Sequence, residues 1–166
     1  MSQKVLVFEP EKCIGCRLCE LWCSFSHFNV TNPAKSCIHI TRIHKTQVDI
    51  ATYCHQCSNP VCIETCKFDA LSIDEKSGAV IVDDEKCTAC IMCIHECPFA
   101  APILHPTEKR VLICDLCQGN PECVKHCPEN AIQYLDQGKA NRIYRSVYVE
   151  KVAKQIIKVI GGKSND

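Results

Sequence analysis

The chain has 166 residues, and its 19 basic and 19 acidic side chains give a formal net charge of zero. This length limits it to one domain or two lobes, and no stretch approaches the roughly 20 apolar residues that a membrane helix needs. Cysteine is the unusual component, since the chain has 17 cysteines but only one Trp, four Tyr and five Phe. A conventional apolar core would be thin, and the composition indicates a crosslinked or metal-bound scaffold.

Sixteen of the cysteines fall into four groups of four, and each group ends with the spacing C-x3-C. The first and third groups read C-x2-C-x2-C-x3-C, and a proline follows the third and fourth groups. This spacing holds [4Fe–4S] clusters, and the last cysteine of such a run commonly binds the other cluster of a pair. The sequence therefore predicts four clusters. The groups are Cys13, Cys16, Cys19 and Cys23; Cys54, Cys57, Cys62 and Cys66; Cys87, Cys90, Cys93 and Cys97; and Cys114, Cys117, Cys123 and Cys127.

Disulfides and zinc are the other uses of so many cysteines. A disulfide framework needs an oxidising compartment, but Met1–Pro10 has no long apolar run of the kind found in a secretory signal. An odd number of cysteines would also leave one unpaired. Structural zinc sites usually use two separated C-x2-C pairs, whereas here three cysteines share one short loop. Iron–sulfur clusters are therefore favoured, a zinc-structured interaction module is the alternative, and a cytoplasmic location is expected.

The elements between the groups predict an α+β fold with one ferredoxin-like unit nested in another. A hairpin predicted within residues 70–84 separates the second and third groups, so residues 54–97 form a complete inner unit. Predicted strands before the first group and after the fourth assign residues 1–53 and 98–138 to an outer unit. Sequential pairing, first group with second and third with fourth, stays open. It is less favoured because a long insert, residues 24–53, replaces a short hairpin between the first two groups.

Two further features lie outside the cysteine groups. The insert contains a predicted hairpin, Ile38–Ile43 with Gln47–Thr52, and the seventeenth cysteine, Cys37. Cys37 is expected to be a small buried or semi-exposed thiol, and a redox or ligand role is the alternative. Residues 139–166 are predicted to form an amphipathic helix and tail. The apolar stripe of this helix is Tyr144, Tyr148, Val152, Ile156 and Ile160.

The partners of the chain are predicted from what the sequence lacks. All four groups are complete, so no iron is left open to a substrate, and no nucleotide-binding or hydrolase motif is present. The aromatic residues of the last helix lie on its apolar stripe rather than among its basic residues, which argues against a nucleic-acid partner. One-electron relay between other redox proteins is the predicted function. A freestanding polyferredoxin and head-to-tail stacking of copies are the alternatives.

Three segments resemble a known family. Lys12–Cys23, Cys114–Cys117 and Asn120–Pro128 resemble the four-cluster iron–sulfur subunits of the dimethyl-sulfoxide-reductase type, over residues 3 to about 136. Cys23–His27, with the sequence Cys-Ser-Phe-Ser-His, is most similar to the small subunits that accompany tungsten aldehyde oxidoreductases. The resemblance implies a non-catalytic electron-transfer subunit between a large molybdenum or tungsten pterin subunit and a second redox protein, such as a flavin subunit or a ferredoxin.

The resemblance also implies how the cysteines are shared among the clusters. Each closing cysteine joins the first three cysteines of the group with which its own group is paired. Ser24 and Lys67 stand where a proline often follows the closing cysteine, so the turns are expected to differ there. The implied sets are site 1, Cys13, Cys16, Cys19 and Cys127; site 2, Cys114, Cys117, Cys123 and Cys23; site 3, Cys54, Cys57, Cys62 and Cys97; and site 4, Cys87, Cys90, Cys93 and Cys66.

Overall fold

The computed structural model describes residues 4–161 as a mixture of short helices and two-stranded sheets. Within this range there are five α-helices and eight β-strands. The helices are α1 Leu18–Phe28, α2 Val61–Glu64, α3 Met92–Glu96, α4 Glu122–Lys125 and α5 Gln137–Gly161. The strands are β1 Lys4–Phe8, β2 Ile38–Ile43, β3 Val48–Tyr53, β4 Leu71–Ile73, β5 Val80–Val82, β6 Ile103–Leu104, β7 Val111–Leu112 and β8 Ile132–Asp136.

The strands pair in four antiparallel ribbons. The first and last strands, β1 and β8, pair with each other over their full length, from Lys4 opposite Asp136 to Phe8 opposite Ile132. The hairpin β4–β5 lies between the second and third cysteine groups, and β6–β7, which the sequence did not predict, lies between the third and fourth. The first and fourth groups are thereby brought to one ribbon, with the other two groups between them along the chain.

The insert between the first two groups has two parts. Its first residues continue α1, which begins at Leu18 and ends at Phe28. The predicted hairpin is confirmed as β2–β3, with the second strand one residue later than expected because Ile38 pairs with Tyr53 and Ile43 with Val48. Ile38, Ile40 and Tyr53 are buried. One face of this ribbon therefore packs against the residues of β1 and β8, such as Leu6 and Ile132.

Buried residues form two hydrophobic clusters, and cysteines belong to both. The first contains Leu6, Ile38 and Ile132 with Cys23 and Cys123. The second is built around β4, β5 and β7 and includes Cys54 and Cys93. Cys114 packs against both clusters. The sulfur atoms therefore occupy positions that aliphatic side chains fill in an ordinary core.

The last helix begins at Gln137, two residues before the predicted start, because β8 passes directly into it at Asp136. Its first turns pack on β1 and β8, where Ala140 is buried, while Tyr144 and Val147 remain partly exposed. The side chains of Tyr148, Val152, Ile156 and Ile160 lie outside the described part of the chain. Among the residues that the structure describes, no helix is long and apolar enough to cross a membrane.

A buried carboxylate fastens the insert to α1. Glu20 is 0% exposed, and its Oε1 accepts a hydrogen bond of 2.6 Å from the backbone N–H of Ile40. Arg17 donates from Nη2 to the carbonyl of Ile40 at 3.0 Å and forms an ion pair of 3.3 Å with Glu20. Both backbone groups of Ile40, the N–H and the carbonyl, are therefore hydrogen-bonded to side chains at the start of α1.

Replacing this carboxylate should loosen β2 locally. A hydrogen bond to a charged group contributes about 2 kcal/mol, so Glu20→Ala should speed amide exchange at Ile40 about 30-fold. Glu20→Gln keeps an acceptor for the amide and should have a smaller effect, and Glu11→Ala, at an exposed position, should have none. Hydrogen-exchange mass spectrometry of the β2 peptide measures this. Equal exchange in Glu20→Ala and Glu11→Ala would contradict the anchoring role.

Candidate iron–sulfur sites

Three cavities are each lined by four cysteines drawn from two groups, and Cys37 also lines the last of the three. Cys127 lies with the first three cysteines of the first group in one cavity. Cys66 lies with the first three of the third group in a second cavity. Cys23 lies with the first three of the fourth group in a third cavity. These sets are the ones named above as sites 1, 4 and 2.

The fourth set, site 3, is recognised from the interactions of its thiols. Burial, together with the nearby thiols of Cys62, Cys57 and Cys97, raises the pKa of Cys54 to about 12 against the lowering effect of a backbone hydrogen bond. Burial likewise raises the pKa of Cys62, to which Cys97 and Cys57 contribute. The closing cysteine of the third group therefore lies with the first three cysteines of the second group.

Burial disfavours the ionised form of these thiols, so each one holds its proton more tightly than an exposed cysteine does. Burial raises the pKa of Cys19 to about 12 and that of Cys93 to about 11, and it raises that of Cys114 well above the ordinary value. Neighbouring thiols add to the shift in each case, because a second negative sulfur nearby disfavours ionisation. Four such thiols become thiolates together only when a cation takes the place of their protons. The chemistry and the spacing both fit a [4Fe–4S] cluster at each site.

The residue before the second cysteine of each group adopts the left-handed conformation. These residues are Gly15, Gln56, Ala89 and Leu116, with φ between 49° and 67°. The backbone curls at this residue, so the cysteines before and after it can face one centre. A side chain in this conformation costs about 1–2 kcal/mol, and three of the four residues are not glycine. Only Gly15 offered a sequence signal for this turn.

The closing cysteines of sites 1, 3 and 4 share a turn that Cys23 lacks. Asp69, Ala100 and Asn130, each three residues after a closing cysteine, are left-handed and donate to that cysteine's carbonyl. In two of these turns the next amide donates to the cysteine sulfur, from Ala70 to Cys66 at 3.4 Å and from Ala131 to Cys127 at 3.2 Å. The prediction that the turn differs where proline is missing is therefore wrong at Lys67, where the turn matches those of sites 1 and 3. The same prediction is confirmed at Ser24, where α1 continues in place of the turn.

Cys23 is instead surrounded by residues of the insert and of the fourth group. The backbone N–H of Cys37 donates to its sulfur at 3.3 Å, and a hydrogen bond from the Cys37 thiol lowers the pKa of Cys23. His27 contacts the Cys23 carbonyl at 2.8 Å and Asp115 at 3.0 Å, and these partners raise the pKa of His27 to about 11. His27, Asp115 and Cys117 place ligand atoms within 4.8 Å of one another. Since Cys117 belongs to site 2, this trio borders that site rather than forming a separate one.

The four sites form a series. The first hydrophobic cluster contains cysteines of sites 1 and 2, and the second contains cysteines of sites 3 and 4. Cys114 of site 2 packs against both clusters, and its carbonyl accepts a hydrogen bond from Gln56 in the loop of site 3. The order is therefore 1, 2, 3, 4.

Gln56 joins the two halves of this series. Its side chain is buried, and its Nε2 donates to the Cys114 carbonyl at 2.6 Å. Its Oε1 accepts from the Val80 amide at 2.8 Å. One amide group thus fastens the loop of site 3 to the loop of site 2 and to β5. The sequence alone did not single out this residue, because its partners lie 24 and 58 positions away.

The two ends of the series are open to solvent. Cys16 in site 1 and Cys90 in site 4 are exposed, and all other cysteines are partly or fully buried. Apolar side chains surround both, with Ile14 beside Cys16 and Phe68 and Ile91 beside Cys90. These three side chains are exposed at 58%, 46% and 39%. Exposed apolar surface of this kind is typical of contact sites for other proteins.

Together, the tetrads and the ribbons that carry them define a ferredoxin-like iron–sulfur protein. Residues 45–137 match the family described as the 4Fe-4S dicluster domain, and the chain belongs to this family.

Relatives and a solved structure agree with this class. The polyferredoxin-like subunit of the aliphatic sulfonate oxidoreductase of Pyrococcus furiosus is 39% identical over 153 residues, covering 89% of this chain and 87% of the relative. The electron transport protein HydN of Escherichia coli is 29% identical over 167 residues, covering 84% and 92%. In a solved BamBC active-site complex of benzoyl coenzyme A reductase, one chain has a similar fold, with a TM-score of 0.50 and 24% identity over 82% of this chain and 78% of that one.

Gly15 and Ala89 each precede the second cysteine of their group. Exchanging glycine for alanine and alanine for glycine at these positions should change the rate of iron release differently. A Cβ atom on Gly15 would lie 2.5 Å from Oδ2 of Asp49 and 2.6 Å from Nη2 of Arg42, in a conformation that side chains disfavour. Gly15→Ala should therefore speed anaerobic iron release to a chelator about tenfold. Ala89→Gly relieves the strained conformation and should leave release equal or slower. Faster release from both variants would contradict this account.

Proposed function

We propose that the chain is a non-catalytic electron-transfer subunit that carries four [4Fe–4S] clusters, one at each of sites 1 to 4. The observation that carries the proposal is that sites 1, 2 and 4 each line a cavity with four cysteines from two groups. When bound, each cluster would exchange one electron at a time. The cysteines supply all four thiolates of each site, so no position is left for a substrate on iron.

The series of sites supports relay from one surface of the chain to another. Sites 1 and 4 contain the exposed Cys16 and Cys90, and sites 2 and 3 lie between them. We expect a large catalytic subunit to contact one end and a second redox protein, such as a flavin subunit or a ferredoxin, to contact the other. The exposed apolar side chains beside Cys16 and Cys90 support docking at both ends. Within this proposal, the outer unit comprises residues 1–53 and 98–138, and the inner unit comprises residues 54–97.

The catalytic partner that we propose is a molybdenum or tungsten pterin oxidoreductase of the cytoplasm. The proposal of a tungsten aldehyde oxidoreductase rests on the resemblance of Cys23–His27. The relative from Pyrococcus furiosus is named for an aliphatic sulfonate oxidoreductase, so aliphatic sulfonates are a second candidate substrate class. A freestanding polyferredoxin and stacked copies of this chain are the alternatives without a catalytic partner.

Metal analysis and paired substitutions test the cluster count and the sharing of cysteines. Anaerobic protein should contain about sixteen iron and sixteen sulfide per chain. In the proposed pairing Cys16→Ala with Cys127→Ala alters one cluster, about one quarter of the Mössbauer iron signal, whereas Cys16→Ala with Cys66→Ala alters two, about one half. Sequential pairing predicts the reverse. Two or fewer clusters, or four zinc ions in colourless protein, would overturn the proposal.

Isolation of the native complex tests the partner. Anaerobic affinity purification of the full chain should recover a large pterin-containing protein at constant stoichiometry. Aldehydes or aliphatic sulfonates should then reduce the clusters in the complex but not in the isolated chain. Recovery of the chain alone would favour the freestanding polyferredoxin, and concentration-dependent large oligomers of the chain would favour stacking.

A further inference from the structure

The closing cysteine of site 2 receives its hydrogen bonds differently from those of sites 1 and 4. At Cys66 and Cys127 the donor is the amide four residues later in the same turn. Cys23 lies inside α1, which continues to Phe28, and the left-handed residue comes only at Asn29. The helix therefore uses the nearby amides for its own hydrogen bonds, and the Cys23 sulfur depends on a donor from elsewhere.

Ser24, in place of proline, brings that donor to the sulfur. Its buried Oγ donates to the Leu21 carbonyl at 3.0 Å and accepts from the Asn32 amide at 3.0 Å, which turns the chain back along α1. The following 3-10 turn, Pro33–Lys35, ends at Ser36. The Ser36 hydroxyl then bonds to both backbone groups of Ile38. Cys37, between these two fixed residues, is held against Cys23.

Cys37 places two donor groups beside one sulfur. Its backbone N–H lies 3.3 Å from the Cys23 sulfur, and its thiol lines the same cavity as that sulfur. Cys23 and Cys37 are only 7% and 4% exposed, so water does not compete for these bonds. At Cys66 and Cys127 one backbone amide each fills this role. Side chains are added at site 2, where hydrogen bonds from Cys37, as the largest cause, and from His27 and Ser36 lower the pKa of Cys23.

We propose that the Cys37 thiol, by donating to the Cys23 sulfur, raises the reduction potential of the site 2 cluster. This inference rests on the proposed function, because it requires a cluster at site 2. Reduction adds negative charge to the cluster and its sulfur ligands, and a hydrogen-bond donor at a ligand sulfur stabilises that charge more than it stabilises the oxidised form. An interior site of higher potential would hold an electron between transfers to the two ends.

Substitutions at Cys37 distinguish the effect of its thiol on the reduction potential from the effect of packing in the rest of the insert. Cys37→Ala removes the thiol donor and keeps the amide, Cys37→Val also removes the donor but fills the space, and Cys37→Ser keeps a donor. Ile38→Val is the packing control, since Ile38 is 2% exposed, lines the same cavity and gives no hydrogen bond to sulfur. Potentiometric titration followed by electron paramagnetic resonance of the full, cluster-loaded chain reports the potential of each reducible cluster.

In Cys37→Ala and Cys37→Val, the reduction potential of one cluster should fall. The expected fall corresponds to a threefold to tenfold change in the equilibrium constant for reduction, and a tenfold change is about 59 mV for one electron. Cys37→Ser and Ile38→Val should stay close to the native value. Unchanged potentials in the Ala and Val variants, or an equal shift in Cys37→Ser or Ile38→Val, would overturn the inference. Two or fewer clusters in the native chain would instead overturn the proposed function, so the two failures are distinguishable.

Discussion

Desolvation of the thiols is the constraint on which the rest of this structure depends. Cys54 and Cys93 lie in one hydrophobic cluster and Cys23 and Cys123 in the other, where an aliphatic residue would cost nothing to bury and a thiolate costs much. The described strands are only two to six residues long, and isolated ribbons of this length are marginal in water. Bound iron would relieve the repulsion between the sulfurs and would close the long loops between the cysteine groups, and metal binding of this kind is coupled to folding in small metal domains.

The loops that carry the cysteines show how the backbone brings buried thiols together. Three non-glycine residues, Gln56, Ala89 and Leu116, hold left-handed conformations, which persist only where surrounding contacts compensate for them. Gln56 shows the compensation directly, because its amide bonds to Cys114 and Val80. The residue that bends the loop of site 3 therefore also fixes the spacing between sites 2 and 3. Local backbone strain and the arrangement of the sites are set by the same contact.

The sequence predicted the cysteine groups, the β2–β3 hairpin and the inner hairpin, because each depends on short-range spacing and turn residues. It favoured the pairing of β1 with β8 only through the similarity of flanking segments, since Lys4 and its partner Asp136 are 132 positions apart in the chain. Gln56, the buried Glu20 and the placement of Cys37 on Cys23 were not predicted. Each depends on a contact between residues distant in sequence, and no local pattern records such a contact. Cys37 was expected to be a small buried or semi-exposed thiol, and in the structure it is buried.

The exposure of Cys16 and Cys90 has a consequence for the lifetime of the molecule. The surfaces at which electrons would cross to a partner are also those at which oxygen and chelators meet a thiolate, because the remaining cysteines are shielded. A partner seated at either end would cover that surface and its apolar rim. Assembly would then act as protection as well as connection, and a chain made in excess of its partners would lose iron from its ends inward.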